Sequence, residues 1–201
     1  MTEKFLCAFD KLIGFEGAYS NNPNDRGGET WTGISRNNFP QWEGWPIIDR
    51  IKAQTDKTQL SKVLSGDSDL KKCVSQFYYQ VFWMALNLDK IPVYAIAEEI
   101  FDTAVNQGAK TAARYFQQAL NLLNNNQKIY SNILDDGYLG DKTLRAYDAY
   151  MLTANYPGRS QDKNVKTLLK VMNGLQFERY VEICRSSENQ EVFFYGWMNR
   201  V

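Results

Sequence analysis

The sequence predicts a mainly α-helical protein with one small β and loop element after its first helix. Two patterns say so. Apolar residues recur at the three-to-four spacing of a helix face along most of the chain. Residues 21–28 (Asn-Asn-Pro-Asn-Asp-Arg-Gly-Gly) are dense in turn formers, and the β-prone run Glu29-Thr30-Trp31-Thr32-Gly33-Ile34 follows them. A length of 201 residues with 44% apolar and 14% aromatic content suits one domain, or one domain with an appended subdomain, and supports a real core.

The first helix is carried by Phe5, Phe9, Leu12 and Ile13, which share a face. Glu16 stands eleven residues after Phe5, roughly 20° away around the axis at 100° per residue. It therefore continues the apolar stripe. A carboxyl so placed is expected to be buried and its pKa raised, as a general acid requires. Gly17 then lets the chain leave the helix. On position alone, a fraying helix end with Glu16 in solvent stays open. Asp25 follows in the turn-rich loop, and folding of the β-prone run over the helix end would bring Asp25 and Thr30 to face Glu16. Two carboxylates across a cleft are the equipment of glycoside hydrolysis. An Asx-turn, with Arg26 as counter-ion, is the plainer reading of Asp25.

Downstream, residues 36–50 with Pro40, Trp42, Trp45 and Pro46 read as an irregular aromatic segment, either stacking on a sugar or packed as a lid over the core. Helical patterns cover 57–65 and 68–86, with Asp67, Ser68 and Asp69 as N-cap candidates. Val74, Phe77, Tyr78, Val81, Phe82 and Ala85 form its apolar stripe. Pro92 suits the first turn of a helix over 93–106. On that helix Asp102 and Asn106 are four apart and share a side, where they either hold sugar hydroxyl and N-acetyl groups or belong to an ordinary helix end. A helix over 109–123 follows. Asp135-Asp136-Gly137 lacks the full calcium-loop ladder and reads as a turn. Asp141 is placed to cap a helix over 142–153. The last helix spans 162–187, with Gly174 as a possible close helix contact. The tail with Phe193, Phe194, Tyr195 and Trp197 is too apolar to hang free and is expected to dock.

Several functions are excluded or disfavoured by composition. Lysine plus arginine and aspartate plus glutamate both number 23, and no basic run exists, so attraction to nucleic acid is unsupported. The chain has no histidine, which excludes a histidine triad, a histidine-ligated zinc and a histidine base. Carboxylates are the leading acid–base groups that remain, and neither a metal nor a cofactor is called for. Cys7, Cys73 and Cys184 are odd in number and far apart, which reads as buried free thiols in a reducing compartment. No stretch reaches membrane-spanning length, so membrane insertion is not expected. The beginning of the chain lacks the basic-then-apolar form of a secretory signal peptide.

At several places the chain resembles the glycoside hydrolase family 108 N-acetylmuramidases, relatives of phage endolysins often labelled secretion-activating proteins. The resemblance rests first on Phe15-Glu16-Gly17-Ala18-Tyr19, Asn24-Asp25-Arg26-Gly27-Gly28-Glu29-Thr30 and Gly33-Ile34-Ser35. It continues through the segments 77–83, 101–108 (Phe-Asp-Thr-Ala-Val-Asn-Gln-Gly), 136–144 (Asp-Gly-Tyr-Leu-Gly-Asp-Lys-Thr-Leu) and 196–201 (Gly-Trp-Met-Asn-Arg-Val). It covers nearly the whole chain in the family's order.

The resemblance implies a lysozyme-like helical bundle that cuts the β-1,4 bond between N-acetylmuramic acid and N-acetylglucosamine, with Glu16 as the catalytic glutamate. Similarity to phage-type lysozymes implies that Asp25 and Thr30 orient the attacking water. Tyr19, Asn22, Trp31, Asp102 and Asn106 are the candidates for holding sugar. Ala18 stands where the family usually has a second glycine, which strains the tip if positive φ is needed there. The division implied is a catalytic portion at 1–92 and a peptidoglycan-binding-like portion at 93–201, packed as one compact unit. The partner implied is the glycan strand of peptidoglycan. An enzyme without a signal peptide is made in the cytoplasm and reaches the wall by a holin, a secretion system or lysis. A non-catalytic wall-binding module, or a secretion-associated interaction protein, is the alternative to the enzyme.

Overall fold

The computed structural model describes residues 1–13, 19–21 and 28–201. Glu16, Ala18, Asn22 and Asp25 lie outside the described residues. The contacts of the chain divide it into two units, Met1–Val81 and Phe82–Val201.

In the first unit, α1 (Glu3–Ile13) buries Phe5, Ala8 and Leu12. Phe5 stacks on Phe9 with centroids 5.4 Å apart and meets Tyr79 edge-on at 4.9 Å. Two short strands follow, β1 (Thr30–Trp31) and β2 (Ile34–Ser35), paired antiparallel with Thr30 opposite Ser35 and Trp31 opposite Ile34. The two residues between them, Thr32 (φ +42°) and Gly33 (φ +81°), both take positive φ, as the tight hairpin turn that matches strand twist demands. Trp31 and Ile34 face the core, and the Tyr78 hydroxyl donates to the Thr32 carbonyl at 2.8 Å, tying the turn to the helix beneath it.

The segment expected to be irregular contains a helix, α2 (Gly44–Lys52). Pro46 falls in its first turn, where no N–H is missed. Gly44 is required by a close approach: a Cβ there would lie 2.3 Å from the Trp42 ring. Trp42 and Trp45 are buried, and their indole N–H groups donate to the carbonyls of Cys73 (3.3 Å) and Phe39 (2.7 Å). Of the two roles foreseen for these tryptophans, core packing is the one observed. Helices α3 (Lys57–Gly66) and α4 (Ser68–Tyr78) meet at Asp67, whose carboxylate caps α4 by accepting from the amides of Asp69 and Leu70 at 3.0 and 2.8 Å. Residues Tyr79–Met84, expected as ordinary helix, widen into π-turns.

The second unit contains α5 (Tyr94–Gln107), α6 (Ala109–Leu123), α7 (Asp141–Leu152), α8 (Gln161–Ser186) and α9 (Glu191–Trp197). Its core includes Trp83, Ile100, Phe101, Phe116, Tyr147 and Leu168. Gly108, at φ +92°, is the break between α5 and α6. Pro92 precedes the N-cap Val93, so it lies just before the first turn instead of within it. Asp141 is the first residue of α7 and Gly140 its N-cap; the acid acts on the helix dipole and is not the cap. Buried Gln117 organises residues 136–143: its amide nitrogen lies 2.9 Å from an Asp136 carboxylate oxygen, 3.0 Å from the Tyr138 carbonyl and 3.1 Å from the Thr143 hydroxyl, and its oxygen accepts from the Gly137 amide at 2.9 Å. Asp135-Asp136-Gly137 is the turn the sequence predicted.

Gly174 does not mark a helix crossing, since nothing lies within 4 Å of the Cβ it lacks. The tail docks by one face. Trp197 stacks on Tyr180 at 4.8 Å and Phe194 meets Phe177 at 6.4 Å, while Val192, Phe193 and Tyr195 stay exposed. The cysteines are free, but not buried as expected: Cys7 is exposed, and Cys73 and Cys184 are half-buried. Cys7 lies two residues from Phe5, on the far side of α1. Among the described residues no helix is long and apolar enough to cross a membrane.

Candidate active site

The described site candidates of the first unit, Tyr19, Thr30 and Trp31, gather around the hairpin. Ser20 bridges Thr30 in antiparallel fashion, with amide-to-carbonyl distances of 3.0 and 2.8 Å. The strand carrying Thr30 is thus fastened on one side to β2 and on the other to the chain that follows α1. Thr30 is half-buried and its hydroxyl donates to the Gly28 carbonyl at 3.2 Å. Gly28 takes φ +64°, a conformation open to glycine at little cost.

Glu29 is the centre of the electrostatics here. Its side chain is only 7% exposed and accepts from the Tyr19 hydroxyl (2.7 Å), the Arg36 guanidinium (2.7 Å) and the Lys52 ammonium (2.5 Å). Arg36 continues outward to Asp49 at 2.7 Å and lies 4.6 Å from the Trp45 ring centroid. Burial pushes the Glu29 carboxyl up, but the bonds from Lys52 and Tyr19 and the charges of Lys52 and Arg36 outweigh it, and the group is held below its usual range. Burial and the bond to Glu29 push the Tyr19 phenol up. Glu29 is therefore an ionised structural anion, unsuited to donating a proton.

Tyr19 and Trp31, both expected to touch sugar, are engaged by protein. The Tyr19 hydroxyl is spent on Glu29, with Lys52 5.7 Å from its ring centroid. Trp31 is 4% exposed. It lines, with Thr32 of the hairpin and Phe9, Asp10 and Ile13 of α1, a cleft of about 480 Å³ beside the last described turn of that helix. Asp102 and Asn106 lie in the second unit. Asn106 donates to the Asp102 carbonyl (2.8 Å) and carboxylate (3.1 Å), and Arg200 grips the other carboxylate oxygen at 2.8 Å. Burial pushes the Asp102 carboxyl up, against the pull of Arg200. No group of three metal-ligating side chains occurs among the described residues.

Sequence reasoning missed Glu29, Arg36 and Lys52. A charged residue between a double glycine and a β-prone run was the available signal for Glu29. Nothing local announced that Lys52, 23 residues on, would meet it.

Residues 9–108 match the family model described as Glycosyl hydrolase 108, and residues 111–201 match the one described as Predicted Peptidoglycan domain. The chain belongs to the glycosyl hydrolase 108 family. As a member of that family it is a glycosidase acting on peptidoglycan, and its second matched region names the same polymer as its partner. The structure of SagA from Brucella abortus is similar over 98% of this chain and 88% of that one, with a TM-score of 0.58 at 20% identity. That likeness bears on fold, and the mainly α, lysozyme-like architecture read from the sequence is the one observed. No curated protein matches the chain.

Proposed function

We propose that this glycosyl hydrolase 108 protein is an N-acetylmuramidase that cuts the β-1,4 bond between N-acetylmuramic acid and N-acetylglucosamine. Glu16 protonates the departing oxygen, and Asp25 and Thr30 orient a water on the opposite face of the sugar, which gives inversion. The observation that supports this reading best is the bridge between Ser20 and Thr30. It brings Thr30 beside a residue only four positions after Glu16, the juxtaposition that a water-orienting threonine needs. The protonated acid is required, so activity falls as pH rises through its titration.

Purified peptidoglycan and a reducing-end assay test the proposal. The wild type is expected to lower turbidity and release reducing ends, and Glu16→Gln to lose at least roughly 10²-fold in rate, the scale of general acid catalysis. A Glu16→Gln variant with wild-type turnover overturns the assignment. A wild type that binds sacculi and releases no reducing ends overturns the muramidase reading itself.

A further inference from the structure

We propose that Glu29 is a positioning residue of the hydrolytic site, its buried carboxylate setting the strand that presents Thr30. The role of Thr30 in this inference rests on the muramidase reading. The geometry of the anchor is independent of it.

Four contacts converge on this one residue. Its side chain takes the Tyr19 hydroxyl from the chain after α1, the Arg36 guanidinium from just past β2 and the Lys52 ammonium from the last turn of α2. Its carbonyl accepts the Arg36 amide at 2.8 Å. In the antiparallel bridge Tyr19 and Glu29 stand on opposite sides of the Ser20–Thr30 pair, so their side-chain bond crosses that pair diagonally and fixes its register. Neighbours along an extended strand project to opposite faces. Glu29 lies at the bend that enters β1, and burial alternates from Glu29 (buried) through Thr30 (half-buried) to Trp31 (buried), so an anchored Glu29 sets Thr30 on the other face.

A side chain 7% exposed is a costly place for charge, and here two cations and a phenol compensate it. Removing the carboxylate takes from Lys52 and Arg36 the anion on which they converge, and removing a cation leaves a buried charge less compensated, so the arrangement favours one geometry over alternatives. Displacement of a reacting group by about 1 Å costs on the order of 10²-fold in rate. A clamp that couples the post-α1 chain, the hairpin and α2 guards against that.

The test uses the full chain with Glu29→Gln and Lys52→Arg, assayed on soluble peptidoglycan fragments well below each variant's melting temperature. Glu29→Gln is expected to lower kcat at least roughly tenfold with KM little changed. The pH limbs of its remaining activity stay in place, because Glu29 moves no proton. Lys52→Arg, which keeps the charge, retains most of the activity. Amide hydrogen exchange at Ser20 and Thr30 speeds up in Glu29→Gln, while that in α4 does not change. A folded Glu29→Gln with wild-type kcat and unaltered exchange at Thr30 overturns the proposal, and so does a displaced pH limb. If the wild type itself hydrolyses nothing, the muramidase reading is what has failed, and exchange at Thr30 alone then decides whether Glu29 sets the strand.

Discussion

At the residue scale, two glutamates of one short segment are proposed to divide the labour that carboxylates can perform. Glu29 is held ionised by Lys52, Tyr19 and Arg36, so it organises structure. Glu16 is the proposed proton donor. The water-orienting role assigned to Asp25 and Thr30 has a stereochemical consequence. Inversion at a β-1,4 bond releases the α anomer first, and proton NMR of the earliest products is expected to show it ahead of mutarotation; a β anomer at time zero indicates retention instead. Thr30→Ala is expected to slow hydrolysis while leaving binding of peptidoglycan fragments in place, which a comparison of kcat with KM reads directly.

At the scale of elements, helix ends and turns supply the sharpest expectations. Asp67 satisfies two otherwise orphaned amides at the start of α4. Asp67→Ala is expected to cost about 1 kcal/mol in chemical denaturation, the ordinary worth of an N-cap. Gln117 is a larger commitment, since residues 136–143 take several bonds from one buried amide. Gln117→Ala leaves the Gly137 amide and the Tyr138 carbonyl without that partner and is expected to destabilise by about 2–3 kcal/mol. Gly137→Ala fails for a different reason: its φ is +80° and an added Cβ would meet Lys110 Cγ at 2.4 Å and the Lys110 carbonyl oxygen at 2.9 Å. Thermal unfolding with circular dichroism is expected to rank both substitutions below wild type.

For the whole molecule, the carboxyls of Glu29 in the first unit and Asp102 in the second are shifted in opposite directions. The Glu29 pKa is depressed below its ordinary 4.5, so its stabilisation is present above that value and is lost as pH falls through the lower folded one. The Asp102 pKa is raised above its ordinary 3.8 by burial, so its contribution is full below pH 3.8 and is lost as pH rises through the folded value. Denaturation of wild type, Glu29→Gln and Asp102→Asn from pH 7 downward checks both. The advantage of wild type over Glu29→Gln is expected to shrink below pH 4.5. Relative to Asp102→Asn, wild type is expected to gain as pH falls toward 3.8. Parallel behaviour of the two variants contradicts the assignment.

Much of this protein was legible in the one-dimensional pattern. Helical periodicity is a local property, and it located α5 through α8 to within about a residue or two. The turn-rich stretch and the Thr-Trp-Thr-Gly run announced the hairpin, because only certain residues accept its backbone angles. Motif order along the chain pointed to the glycosyl hydrolase 108 family. Tertiary structure decided what local pattern does not encode. It turned an aromatic segment into α2 with its tryptophans in the core, showed that Gly174 faces open space, and spent the hydroxyl of Tyr19 and the carboxylate of Asp102 on protein partners. It also brought Lys52 and Arg36 onto Glu29. The reason is physical: periodicity reports which face of an element is apolar, whereas the partner of a buried charge depends on which elements fold against each other, and that is settled only when the chain closes on itself.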